Sequence, residues 1–267
     1  MNKKKFTDKV ALITGGSQGI GETTARLFVE QGLSGLIICS RNLKRGKIIA
    51  RDLNKKGCKT YFVKADLSKV SDCKKVIRTI DKKFKKIDIL INCAAQTDRG
   101  NILDTSVQLW DSTFNTNVRA PFLLIQGAAK IMIREKIRGV IASVISIVSY
   151  GGPDFLTPYS SSKGALRILT KNVAFGLLKY QIRVNGLNLG WTDTPNETKI
   201  QKKYHNAKKD WVKKAEKNLP FKRLVKPIDV ANSLSFMCSD ESGIMTGSII
   251  DFDQLVMGSI DATTADS

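Results

Sequence analysis

The sequence predicts an α/β protein: one doubly wound parallel sheet with helices on both faces. Three observations carry this. Short apolar runs alternate with longer amphipathic stretches from end to end. The runs are continuously apolar, as parallel strands covered on both faces require. The first run opens directly into a glycine-rich turn that starts a helix.

The elements follow in order. Lys9 to Thr14, with Val10, Leu12 and Ile13, is bounded by glycines and reads as a buried strand. Gly19 to Gln31 is a helix ending near Gly32. Leu36-Ile37-Ile38-Cys39 is a second strand. Asn42 is placed to cap a helix to about Lys56, which Gly57 stops. Thr60 to Val63 is a third strand leading to Asp66. Ser68 to Phe84 is a helix and Ile87 to Ile91 a fourth strand. Ser106 to Arg134 reads as one long helical region, and Val140 to Ser146 as a fifth strand. Ser160 to Lys179 is a helix with Leu166, Leu169, Val173 and Leu177 at apolar spacing. Ile182 to Leu189 is a sixth strand. The lysine-rich segment 196–218 reads as a mobile helical lid. Ile228 to Cys238 is a last helix and Ser248 to Phe252 a last strand. No linker or repeat divides the chain, so 1–267 is expected to be a single domain with a frayed tail over 259–267.

Composition narrows the function. Hydrophobic residues are 42% and charged residues 25%, which excludes a disordered or collagenous chain. No run approaches the ~18 apolar residues of a spanning helix, so no membrane partner is expected. The basic start, Met1 to Lys5, is followed by too short an apolar run for an export signal. The five cysteines are odd in number and form no CxxC pair, which suits free thiols in a reducing cytoplasm. With one histidine, His205, a metal site of several His ligands is excluded. His205 sits among lysines and reads as exposed.

Lys and Arg number 44 against 24 Asp and Glu, a net charge of +20. That charge suits a polyanionic partner. It also suits helix faces generally covered with lysine. The lysines, such as Lys44, Lys47, Lys82, Lys83, Lys213 and Lys214, form no stripe and carry no interleaved aromatics. The second reading is therefore preferred, and nucleic acid is not an expected partner.

Two motifs carry chemistry. Thr14-Gly15-Gly16-Ser17-Gln18-Gly19-Ile20-Gly21 follows the first strand. Gly15 permits a tight turn, and Gly19 and Gly21 let backbone approach a pyrophosphate at the helix N-terminus. Further on, Tyr159 and Lys163 are four apart on a helix and share a face. A tyrosine working near neutral pH must drop by roughly three units from ~10, and the Lys163 cation is placed to cause that. Ser146, 13 residues before Tyr159, ends a strand at the sheet edge where ligands bind. Ser143 and Ser149 are its rivals.

Together these motifs resemble the short-chain dehydrogenase/reductase family over about Lys9 to Phe252. The resemblance implies a Rossmann-like fold and hydride exchange between a nicotinamide cofactor and a secondary alcohol or carbonyl. It implies a catalytic tetrad of Asn117, Ser146, Tyr159 and Lys163, with Tyr159 as acid–base and Ser146 holding the oxygen. Lys163 would lower the tyrosine pKa and bind ribose, and Asn117 would position a relay water. Asn92-Cys93-Ala94-Ala95 stands where the family has Asn-Asn-Ala-Gly, and implies cofactor contacts at Asn92 and Ala94. The resemblance adds contacts at Ser17, Gln18 and Ile20, at Asp66 and Leu67 near adenine, and at Thr192 and Thr194 near nicotinamide.

The chain also departs from the family. Ala95 replaces a glycine, Leu189 replaces a proline and should loosen the next turn, and Asp251-Phe252-Asp253-Gln254 replaces Asp-Gly-Gly. The last departure resembles sugar-oxidising branches. The second strand ends Ser40-Arg41, without the acid at position 40 that NAD-selective members carry. Arg41 can pair with a 2′-phosphate, so NADP is the expected cofactor and NAD the alternative. A sugar or polyol is the expected substrate, with Trp191, Asp193, Asn196 and Glu197 near it. The alternatives are a 3-oxoacyl thioester on an acidic carrier protein, and a basic nucleic-acid-binding protein. The resemblance further implies a homotetramer.

Overall fold

A computed structural model describes residues 4–257, so the expected tail over 259–267 lies outside the described residues. The strands are β1 (Val10–Thr14), β2 (Gly35–Ser40), β3 (Lys59–Lys64), β4 (Ile89–Asn92), β5 (Val140–Val144), β6 (Arg183–Leu189) and β7 (Ile249–Phe252). They form one parallel sheet in the order β3-β2-β1-β4-β5-β6-β7. The chain winds outward from β1 to β3, then returns to place β4 on the other side of β1. That reversal opens a crevice beyond the carboxyl ends of β1 and β4.

The two faces are read directly from alternation. In β1, Ala11 and Ile13 join one core with Phe28 and Val29 of α1 (Gly19–Glu30), Leu53 of α2 (Leu43–Lys55) and a later helix. Val10 and Leu12 face the opposite core, with Val76 and Ile80 of α3 (Val70–Phe84). Both faces of the central strands are covered, which is why β1, β2, β4 and β5 read as nearly continuous apolar runs.

The predicted cap at Asn42 forms, its side chain accepting from the Arg45 N–H. The region predicted as one helix from Ser106 does not stay regular. It is α4 (Val107–Phe114), a π-turn over Asn115–Arg119, and α5 (Ala120–Arg134). β5 stops at Val144, so Ser146 lies just past the strand and starts a 3₁₀ turn over Ile147–Tyr150. α6 (Thr157–Leu177) begins earlier than predicted, with Pro158 in its first turn, where a missing N–H costs nothing. The segment expected to be a lid is two helices, α7 (Pro195–His205) and α8 (Trp211–Lys217), followed by α9 (Pro227–Cys238), which packs on α1.

Candidate active site

A cleft of about 850 Å³ runs along the carboxyl edge of the sheet, under α7. Ser17, Gln18, Gly19 and Ile20 line one end, at the N-terminus of α1. Gly15 has φ +69°, and a Cβ there would press on the Ala94 backbone at 3.2 Å. A Cβ on Gly21 would meet the Gly15 carbonyl at 2.6 Å. The chain therefore admits only glycine at the two points where helix, turn and β4 converge. Gln18 makes no side-chain cap to α1 and instead accepts from Arg45 Nη1 at 2.8 Å. The first N–H groups of α1 stay available to an anion. Thr14 Oγ1 accepts from the N–H groups of Cys93 and Ala94, pinning β1 to the loop after β4.

Ser40, Arg41, Asp66 and Leu67 line the wall beyond this turn. The Ser40 hydroxyl is buried and has no partner among the described residues, beside the exposed Arg41. Burial pushes the Asp66 carboxyl up, but two hydrogen bonds from Ser68 and the Arg41 charge outweigh it and hold the pKa below the usual value. A buried orphan hydroxyl, a cation, an ionised acceptor and a glycine cradle at a helix N-terminus fit a dinucleotide.

Ser146, Tyr159 and Lys163 line the middle of the cleft. Ser143 accepts from Asn92 and Ser149 donates to Asn188, so both rivals are occupied elsewhere. Lys163 is 2% exposed, and its ammonium donates to the Val144 carbonyl at 2.8 Å. Burial pulls its pKa down to about 8. The expected depression of Tyr159 is not found. Burial pushes it up to about 12, against a hydrogen bond with Ser146 and the charge of Arg99, which both pull it down. The Lys163 ammonium lies 5.6 Å from the Tyr159 ring centre and is bonded to backbone.

Asn92 and Asn117 do not line the cleft. Asn92, the last residue of β4, is buried, and its amide donates to the Ser143 hydroxyl of β5. The Asn117 amide is used by the Gln96 N–H, the Gln96 carbonyl and the Ser162 hydroxyl. Its side chain is therefore a brace, not a water ligand. Its main chain is different: the α-helical donor to the Asn117 carbonyl would come from residue 121, and Pro121 has no N–H.

Thr192, Thr194, Trp191, Asn196 and Glu197 line the far end. The Thr194 hydroxyl caps α7 by accepting from the Glu197 N–H. Asp193 turns away and pairs with Lys226 at 3.1 Å. Leu189 does not loosen its turn. It stays in register with Phe252, and the Gly190 N–H donates to the Phe252 carbonyl. Sequence reasoning missed Arg99, which lines the cleft from the loop after β4. His205 is exposed, as expected, at the rim against Phe155.

A family model described as short chain dehydrogenase matches residues 9–205. The chain belongs to the short chain dehydrogenase family. It is an oxidoreductase of the alcohol–carbonyl couple that uses a nicotinamide cofactor. An uncharacterized oxidoreductase of Thermotoga maritima is 35% identical over 93% of this chain and 97% of its own length. A 3-oxoacyl-[acyl-carrier-protein] reductase of the same organism is 30% identical over 93% and 98%. L-sorbose reductase of Gluconobacter frateurii, solved with NADPH and L-sorbose, is 27% identical, with a TM-score of 0.89 over 97% of this chain and 100% of that one.

Proposed function

We propose that this enzyme reduces a small polyhydroxy carbonyl compound, a sugar or its relative, with NADPH, and oxidises the matching polyol in reverse. The observation that carries the substrate class is the far end of the cleft. There Trp191, Asn196, Glu197, Arg99 and Gln254 offer polar groups and an indole within the lining shared by Tyr159 and Ser146. An acyl chain would meet these groups without satisfying them.

NADPH, when bound, supplies the hydride at nicotinamide C4. The α1 N-terminus receives the pyrophosphate, Asp66 the adenine amine, and Arg41 with the Ser40 hydroxyl the 2′-phosphate. Use of NADPH by the sorbose reductase supports that choice. Ser146 donates a hydrogen bond to the substrate oxygen, and Tyr159 gives that oxygen its proton. A phenol held near 12 is protonated throughout the neutral range, the form a reductase needs. Lys163 orients the ribose, and water held at the Asn117 carbonyl refills the proton.

A 3-oxoacyl thioester on an acidic carrier is the second reading, supported by the +20 charge and by the relative of that name. Family membership removes the motive for the nucleic-acid reading. The free thiols support a reducing compartment, as in the cytoplasm, and the homotetramer is kept as a proposal. Among the described residues no helix is long and apolar enough to cross a membrane.

The test is NADPH oxidation followed by absorbance with ketoses, simple ketones and a 3-oxoacyl thioester. Ketoses should be reduced fastest. Tyr159→Phe should lose at least ~10²-fold in rate while still binding NADPH. Activity within a few-fold of wild type in that variant removes the assignment.

A further inference from the structure

The far end of the cleft holds an ion pair between the loop after β4 and α7. Arg99 Nη2 approaches Glu197 Oε1 at 3.5 Å, with side chains only 12% and 16% exposed. The pair is incompletely used. Arg99 Nη1 donates to the Thr97 carbonyl at 3.1 Å, yet the Arg99 Nε is buried without a partner among the described residues. On Glu197, the Trp191 indole and the Gln201 amide donate to the same oxygen that faces Arg99, at 3.0 and 2.8 Å. Oε2 receives neither bond. A guanidinium whose hydrogen bonds are incompletely made costs free energy, and on a side chain that lines a cleft a ligand atom can complete them.

The pair is held in place from both sides. Asn196 donates to the Thr97 hydroxyl at 3.1 Å, and the Tyr204 hydroxyl donates to Asp98 at 2.7 Å. With Arg99–Glu197, three successive loop residues each bond to α7. The lid thus carries one half of the pair and the loop after β4 the other. Both side chains line the cleft that Tyr159 and Ser146 line, and both charges act on the Tyr159 hydroxyl.

Resting on the polyol reading above, we infer that Arg99 and Glu197 form a donor–acceptor clamp selecting substrates with a further hydroxyl near the reacting carbon. That hydroxyl accepts from the Arg99 guanidinium, whose side chain lines the cleft, and donates to Glu197 Oε2. Because Glu197 offsets the Arg99 charge, the clamp suits a neutral hydroxyl better than a carboxylate, which would meet Glu197 as a like charge. A hydroxyl has both a donor and an acceptor to offer, and a compound lacking it leaves the Arg99–Glu197 pair incompletely bonded.

The experiment compares trans-cyclohexane-1,2-diol with cyclohexanol as substrates with NADP, in the wild type, Arg99→Met and Glu197→Gln. Wild type should prefer the diol by at least ~10-fold in kcat/KM, the low end for a charged hydrogen bond. Both variants should lose most of that preference through a raised KM for the diol, with a loss on cyclohexanol at least several-fold smaller. Quenching of tryptophan fluorescence by sorbitol in the NADP-loaded protein should weaken in parallel, since Trp191 is bonded to Glu197. Equal wild-type rates on both alcohols, or variants that lose equally on both, would show a pair with no selective role while leaving the reductase intact. Turnover of the 3-oxoacyl thioester alone, with no sorbitol binding, would overturn the polyol reading and the clamp with it.

Discussion

Lys163 is a fully buried amine held by one backbone carbonyl, and that position is costly. Its pKa falls from 10.5 to about 8, so the folded state binds its proton more weakly than the unfolded chain does. The penalty is full below about pH 8, shrinks as pH rises, and is gone above about 10.5. It amounts to about 3 kcal/mol. Lys163→Met removes it but strands the Val144 carbonyl, which returns about 1–3 kcal/mol. The clean readout is therefore the pH dependence. The stability of Lys163→Met relative to wild type should fall by about 3 kcal/mol between pH 7 and pH 10.5, measured by denaturant titration. A difference independent of pH contradicts a buried titrating amine. Activity should be lost in the same variant, so that the enzyme carries an unstable side chain for its chemistry. Arg41 is a simpler residue-scale case. Exposed at the end of β2 beside the orphan Ser40 hydroxyl, it has a 2′-phosphate as its proposed partner. Arg41→Asp should weaken NADPH binding ~10- to 100-fold and improve NADH binding, read by titrating each cofactor. A wild type that already binds NADH more tightly overturns the assignment.

At the scale of elements, the π-turn between α4 and α5 connects sequence to chemistry. Asn117 braces the loop after β4 with its side chain, while Pro121 denies its carbonyl a helical donor. Pro121→Ala supplies that N–H and lets the helix close. We expect kcat to fall several-fold with NADPH affinity kept, and the melting temperature to hold or rise. An unchanged kcat would separate the turn from the proton path. This turn was not legible in the sequence, because the apolar spacing of Trp110, Phe114, Val118 and Phe122 continues straight through it. The central strands β1, β2, β4 and β5 were legible because each is a nearly continuous apolar run, and the phosphate turn because only glycine fits where α1, β1 and β4 meet. The direction of the Tyr159 shift was missed, since four-residue spacing places Lys163 on the same face but says nothing of its bond to Val144. Arg99 was missed and Asp193 was placed near the substrate wrongly for a common reason. Their partners, Glu197 and Lys226, are fixed by how the lid folds back and not by any local period.

At the scale of the molecule, the exposed apolar surface and the net charge act against each other. Phe114, Val118 and Phe122, running from α4 through the π-turn into α5, line an open groove against Leu169 of α6. Around these helices Phe122 is 45% exposed, Ile168 57% and Phe175 80%. Large side chains gathered on one face leave apolar area that a second copy can cover, and a twofold contact would bury both copies at once. Opposing this, each chain carries +20. Screening limits that repulsion to about 10 Å at 0.1 M salt. The apolar contact should therefore prevail at physiological salt and lose ground as salt is withdrawn. The expected species is a homotetramer of about 118 kDa, four chains of 29.5 kDa, dissociating at low ionic strength. Ile168→Glu or Phe175→Glu, at exposed positions outside the cleft, should lower the assembly mass at every salt concentration. Light scattering that returns about 30 kDa for the wild type in 0.15 M salt would show the face to be uncovered and the charge to dominate.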